Sequence, residues 1–245
     1  MSLSLRNAAA VIFDMDGVIT DTAAVHCAAW KAMFDDYLSV VERRCGQTQR
    51  PFEEADYLRH VDGKSRVDGA RSFLVSRAID LPDGQADDTP ERETVWGLAN
   101  RKDLALQEVL ESSGARAFPS SVALVRGLQK HGIGTALISA SRNCQAILDA
   151  AGIGDLFPVT VDGTECARLG LPGKPSPAVF LEAAQRLGVA PARAVIVEDA
   201  QAGVRAGRAG NFGLVIGVDR CGQAKHLFEE GADVVVTDLA EVALR

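Results

Sequence analysis

The chain has 245 residues, 47% hydrophobic and 24% charged, proportions ordinary for a soluble globular protein of one large or two smaller domains with a substantial core. Its 26 basic and 33 acidic residues give a net charge of −7, which offers no general attraction to nucleic acid or to an anionic membrane, so any anionic substrate has to be held by local cations. No apolar run approaches the roughly 18 residues of a spanning helix, and the N-terminus lacks a basic region followed by an apolar signal segment, which makes the cytosol the default compartment.

The first predicted element is an apolar strand, Val11-Ile12-Phe13, that runs into Asp14-Met15-Asp16-Gly17. β-branched and aromatic residues favour a sheet, and Gly17 permits a sharp turn where the two carboxylates emerge. Carboxylates that close repel each other unless a cation or a shared proton compensates. A hard divalent ion such as Mg²⁺ prefers oxygen ligands and commonly bridges to a substrate phosphate. Read alone, the pair also fits an Asp-rich turn capping a helix.

Residues 22–117 change texture, with many charges, few strand-like runs, and helical spacing over 23–37, 69–78 and 94–111. They are expected to form an inserted helical cap domain that leaves the sheet just after the Asp pair and acts as a lid, with 81–90 as its main loop. From about residue 120 onward, short apolar strands over 133–139, 159–161, 194–198, 214–217 and 234–236 alternate with helical stretches. This pattern predicts an α/β fold with a parallel sheet whose ligands gather at the carboxyl ends of the strands. Residues 1–21 and 118–245 would form that catalytic core. The five cysteines, Cys27, Cys45, Cys144, Cys166 and Cys221, are odd in number and lack CxxC spacing, which reads as free thiols rather than a disulfide framework or a zinc site.

Three downstream segments repeat the strand-end theme. The strand ending at Ser139 is followed by Ala140-Ser141-Arg142-Asn143, a hydroxyl-rich turn with a fork-shaped cation, suited to a phosphate, although Ser141 would also serve as a plain helix cap. Lys174 in Gly173-Lys174-Pro175 can neutralise a transferring phosphoryl group, and the strand 194–197 ends in the adjacent acids Glu198 and Asp199. Asp199 could complete a metal site with Asp14 and the Asp16 backbone, or cap the following helix.

Taken in order, the DxDG, Ser139, Lys174 and Glu198-Asp199 motifs resemble those of the haloacid dehalogenase superfamily of phosphotransferases. The resemblance implies a Rossmann-like core, Mg²⁺ dependence and a covalent aspartyl-phosphate. It assigns Asp14 as nucleophile, Asp16 as general acid/base, Ser139 and Lys174 as holders of the phosphoryl oxygens, and Asp14, the Asp16 carbonyl, Asp199 and Glu198 as metal ligands. At finer grain the chain is similar to the β-phosphoglucomutase family. Thr20-Asp21-Thr22 continues to His26 and Trp30 at that family's spacing, Gly63-Lys64-Ser65-Arg66 resembles its cap loop, and Asn100-Arg101-Lys102-Asp103 a further cap segment.

This finer resemblance implies interconversion of β-glucose 1-phosphate and glucose 6-phosphate through a bisphosphate. Arg66 and Arg142 are the candidates for gripping the second phosphate, with Ala140, Ser141 and Asn143 beside Arg142. His26 would hydrogen-bond or help position Asp16, Trp30 would line the substrate site, and Lys102 would contact the sugar phosphate or position the closed lid. The expected partner is a small sugar phosphate, with no nucleic acid, no membrane and a monomeric chain. Ser120 stands where a glycine is common, Ala178 where an Asp is frequent, and the stretch between Trp30 and Gly63 is longer than the family requires. Two alternatives stay open: a sugar-phosphate phosphatase using the same Asp pair, and a non-catalytic sugar-phosphate binding module.

Overall fold

A computed structural model describes residues 3–5, 8–46 and 48–243 of the chain. They divide into two compact units, Met1–Thr22 with Ala115–Arg245, and Ala23–Gly114.

The first unit is built on a six-stranded, wholly parallel sheet. Its strands are β2 (Ala10–Asp14), β3 (Gly134–Ile138), β4 (Val159–Val161), β5 (Ala194–Glu198), β6 (Leu214–Val218) and β7 (Val234–Val236). A separate two-stranded pair joins β1 (Leu3–Ser4) to β8 (Val242–Ala243). β2 and β5 are buried along their whole length, as strands covered on both faces require, and this is why they read as continuous apolar runs rather than alternating ones. The spatial order is β4-β3-β2-β5-β6-β7, so connections depart in opposite directions on either side of β2. Such a reversal opens a crevice at the carboxyl ends of the flanking strands, and Phe13 pairs in register with both Leu137 and Val197. Asp14, Ser139 and Glu198 thereby emerge along one edge of the sheet.

Its helices are α5 (Pro119–Lys130), α6 (Cys144–Ala150), α7 (Gly163–Leu169), α8 (Ala178–Arg186), α9 (Gln201–Ala209) and α10 (Ala224–Glu229), numbered after the four of the second unit. On one face of the sheet Ile12, Ile138, Ile196 and Val215 pack with Phe180 of α8 and Val204 of α9. Phe13, one residue on from Ile12, faces the other way and meets Phe157 with centroids 5.9 Å apart.

The second unit comprises α1 (Ala23–Cys45), α2 (Glu54–Asp56) continuing into a π-helical turn (Tyr57–Val61), α3 (Arg66–Ser76) and α4 (Val95–Ser113). Its core is aromatic: the Phe34 ring lies 4.1 Å from Phe73, and 5.2 Å from both Phe52 and Trp30. Ser65 and Thr94 cap α3 and α4 by accepting from the backbone N–H groups of Asp68 and Gly97. α1 runs eight residues past the expected 37 because buried Leu38 extends its apolar face. The long stretch after it is fastened by side chains. The N–H of Phe52 donates to Asp35 at 2.7 Å, and Arg77 donates to the Arg50 carbonyl at 2.6 Å and to buried Asp56 at 2.7 Å. Residues 81–93 are free of helix and strand, as expected for 81–90. Among the described residues no helix is long and apolar enough to cross a membrane.

Candidate active site

The edge formed by β2, β3 and β5 gathers four ionisable side chains that are almost wholly buried: Asp14, Lys174, Glu198 and Asp199. Oxygens of Asp14, Glu198 and Asp199 lie within 4.8 Å of one another. The Lys174 ammonium donates to Asp14 at 2.5 Å and also to Glu198, so one cation is shared by two carboxylates. The second Glu198 oxygen accepts from the Ala200 N–H at 3.0 Å. Burial pulls the Lys174 pKa down, yet Asp14 and Glu198 more than offset this and hold it above the ordinary lysine range. Burial pushes the Glu198 carboxyl up, and crowding by Asp14 pushes it further, against the opposing pull of Lys174.

Glycines make this crowding sterically possible. Gly17 has φ +78°, and a Cβ there would lie 1.7 Å from an Asp199 oxygen; a Cβ on Gly203 would lie 1.8 Å from Glu198. The DxDG turn is therefore shaped to admit the Asp199 carboxylate as well as to turn.

Asp16 stands apart from the cluster of three carboxylates, its own carboxylate accepting a hydrogen bond from the Thr22 hydroxyl. Thr22 in turn contacts Thr20 at 2.9 Å, and Thr20 donates to the Met15 carbonyl at 3.2 Å. Ser139 is buried; its Oγ accepts from the Ser141 N–H at 3.1 Å, which leaves its hydroxyl proton as the donor. Ser141 Oγ accepts from the Asn143 N–H at 3.1 Å, and Ala140 and Gly163 pack closely enough that a Cβ on Gly163 would lie 2.7 Å from the Ala140 carbonyl. Arg142 is exposed beside them. Asp199 does not cap α9, whose N-cap is Ala200 with no side-chain bond.

The other sequence-predicted residues lie in the helical unit, in two clusters. Lys102 is buried, 3.1 Å from His26 Nδ1 and 5.3 Å from the centre of the Trp30 ring. An ammonium has only donors, so Nδ1 accepts and the imidazole proton sits on Nε2. Arg66 donates through Nε and Nη2 to Asn100 Oδ1, at 3.3 and 3.1 Å, and lies over Trp96.

Residues 8–211 match the family model described as haloacid dehalogenase-like hydrolase. A β-phosphoglucomutase from Mycobacterium tuberculosis is 48% identical over 237 residues, covering 95% of this chain and 90% of that one. The chain belongs to the β-phosphoglucomutase family of the haloacid dehalogenase-like hydrolases. A crystal structure of a β-phosphoglucomutase from Clostridium difficile superposes with a TM-score of 0.73 at 25% identity, covering 96% of this chain and 93% of that one. A trehalose-phosphate phosphatase from Mycobacterium leprae is 44% identical over 130 residues, 51% of this chain and 28% of its own length.

Membership of this family makes the protein an enzyme and gives the acidic cluster its context. Asp14, Glu198 and Asp199 ionised carry three negative charges against the single positive charge of Lys174. That residual charge, together with an all-oxygen donor set, fits a hard divalent cation. Thr22, Gln223 and Arg220 were not foreseen as parts of the site. Gln223 is buried and donates to the Asp199 carbonyl at 2.9 Å, and Arg220 donates to the Gly17 carbonyl at 2.9 Å. The bonds by which Gln223 and Arg220 reach Asp199 and Gly17 go to backbone oxygens, which carry no residue-type signal.

His26 gives a pH prediction. Its pKa is held well below 6.5, chiefly by burial and then by Lys102, with Asp103 opposing. An unfolded His26 takes up a proton below about pH 6.5 that the folded one refuses, so its contribution to stability is intact above that pH and is lost as the pH falls below it. Urea unfolding at pH 7.5 and 5.5 is expected to show a steeper acid loss in the wild type than in His26→Gln, by up to about 1.4 kcal/mol per pH unit. Parallel curves would mean that His26 protonates equally well in the folded chain.

Proposed function

We propose that the protein is a Mg²⁺-dependent β-phosphoglucomutase that interconverts β-glucose 1-phosphate and glucose 6-phosphate through an aspartyl-phosphate on Asp14. The observation that carries this reading is the different setting of two carboxylates one residue apart: Asp14 belongs to the buried carboxylate cluster beside Lys174, whereas the Asp16 carboxylate lies outside that group of three and accepts from the Thr22 hydroxyl. Neighbouring acids in unlike environments take unlike roles.

Asp14 attacks phosphorus, the bond from phosphorus to the sugar oxygen breaks, and that oxygen takes a proton from Asp16. In the reverse sense a sugar hydroxyl gives its proton to Asp16 and attacks the phosphoryl group on Asp14. A phosphorylated Asp14 thus converts β-glucose 1-phosphate to the 1,6-bisphosphate through the sugar's 6-hydroxyl. The bisphosphate, presenting its 1-phosphate, returns a phosphoryl group to Asp14 and leaves as glucose 6-phosphate. Ser139 and Lys174 hold the phosphoryl oxygens. Ala140, Ser141, Arg142 and Asn143, with Arg66, bind the second phosphate, and His26, Trp30 and Lys102 meet the sugar phosphate. Mg²⁺ held by Asp14, Asp199, the Asp16 carbonyl and, directly or through water, Glu198 would supply charge neutralisation for attack of one anion on another.

A mutase is favoured over a phosphatase because the match to a named β-phosphoglucomutase runs through nearly all of both chains, whereas the phosphatase match covers about half of this one. Phosphorus NMR of β-glucose 1-phosphate with Mg²⁺ and a trace of glucose 1,6-bisphosphate tests the reading. Glucose 6-phosphate with little inorganic phosphate is expected; inorganic phosphate as the main product would make the enzyme a phosphatase.

A further inference from the structure

The loop that follows β6 carries a residue that touches the DxDG turn and that none of the catalytic motifs contains. Residues 219–223 lie between β6 and α10 (Ala224–Glu229) and are fixed by Asp219, whose carboxylate accepts from the N–H groups of Cys221, Gln223 and Ala224 at 3.2, 2.8 and 3.1 Å. From this loop Arg220 reaches back to the DxDG turn. Its Nε donates to the Gly17 carbonyl at 2.9 Å, its Nη1 to the Thr237 carbonyl at 3.0 Å, and its guanidinium lies 3.8 Å from the centre of the Phe118 ring.

The turn itself is closed by backbone bonds: Gly17 N–H to the Thr20 carbonyl at 2.8 Å, and the N–H groups of Ile19 and Thr20 to the Met15 carbonyl at 2.8 and 2.9 Å. The Gly17 carbonyl points out of this set, and Arg220 receives it. Phe118 is stitched to the same turn, its N–H donating to the Ile19 carbonyl at 2.9 Å. Gly17 is thus fixed by Arg220 at its carbonyl and hemmed by the Asp199 carboxylate at its Cα, and it follows Asp16 directly in the chain. The guanidinium also pairs with the Asp238 carboxylate, 3.7 Å from Nη1, and its Nη2 is buried with no acceptor among the described residues.

We infer that Arg220 is a positioning residue for Asp16: by fixing the Gly17 peptide it sets where the Asp16 carboxyl meets the sugar oxygen. The inference rests on the proposed acid/base role of Asp16. A planar fork that spans two carbonyls and stacks on a ring is what this contact set uses, and lysine cannot reproduce it.

The test compares two phosphoryl donors. The sugar oxygen of β-glucose 1,6-bisphosphate needs a proton as it leaves, whereas the acetate of acetyl phosphate does not. With Mg²⁺ present, Arg220→Met is expected to lower kcat on β-glucose 1-phosphate about 100-fold, the scale of a misplaced catalytic group, while KM and single-turnover acetate release from acetyl phosphate stay within about threefold. Arg220→Lys, which keeps the charge, is expected to show the same selective loss to a smaller extent and covers the case in which the methionine variant fails to fold. Equal losses on both donors overturn the inference, because they mark a general loosening of the fold. Asp16→Asn separates the two levels. If it shows the selective loss and the Arg220 variants do not, the inference fails and the reading of Asp16 stands; if Asp16→Asn is itself unselective, the acid/base reading fails.

Discussion

Asp14→Asn is expected to lower turnover of β-glucose 1-phosphate by about 10⁴-fold or more and to abolish the single turnover of acetyl phosphate, because no other group replaces a lost nucleophile. The same variant is expected to be no less stable than the wild type when divalent ions are chelated. Lys174 keeps its bond to Glu198, and one of the three crowded carboxylate charges is gone. Catalytic sites commonly hold such destabilising charge, so removing it separates activity from stability. Phosphorylation of Asp14→Asn by acetyl phosphate would move the nucleophile elsewhere, and a lower urea midpoint in chelator would mean that Asp14 contributes more to folding than its neighbours repel.

Lys174→Met is expected to act in the opposite sense on stability. It removes the ammonium shared by Asp14 and Glu198 in a site from which water is nearly excluded, leaving both carboxylates without their cation. Breaking a buried pair in this way costs about 3–5 kcal/mol, and losing a cation at the transferring phosphoryl group costs about 10²–10³ in kcat. Methionine keeps much of the volume beside Phe180, whose ring lies 5.6 Å from the lysine nitrogen, so the loss is electrostatic rather than a cavity. Urea unfolding with and without Mg²⁺ measures it: the ion is expected to recover part of the deficit. An unchanged midpoint in chelator would mean that the two carboxylates are already protonated in the folded state.

β4, β5 and β7 run over the residues expected, and β2, β3 and β6 differ from expectation by one residue at one or both ends, because strands buried on both faces are unbroken apolar runs bounded by polar ones. Asp14, Lys174, Glu198 and Asp199 are legible as strand-end or loop-edge charges, and the structure brings them into one cluster. The helical unit was less legible. α3 begins at Arg66 rather than 69 because Ser65 caps it there, and the run 54–61 has no periodic apolar face to announce it; capping at Glu53, buried Tyr57 and Val61, and the Asp56–Arg77 pair hold it. Arg220 was illegible for a further reason: neither Gly17 nor Thr237 needs a particular side chain to present a carbonyl, so the pairing is created by the fold.

The pairing of β2 with β3 and β5 also sets an order of assembly. Residues 10–14 find their sheet partners at 134–138 and 194–198, on the far side of the whole helical unit. During synthesis the helical unit, contiguous from Ala23 to Gly114, is complete before either partner strand exists and is free to fold on contacts local in sequence, whereas the β2 segment has to wait. A waiting strand as apolar as Ala10-Val11-Ile12-Phe13 is a template for wrong pairing. Soluble yield in a fast expression host is therefore expected to depend on this connectivity: slowing translation beyond residue 198 should leave it unchanged, whereas slowing it between 23 and 193 prolongs the exposure of β2.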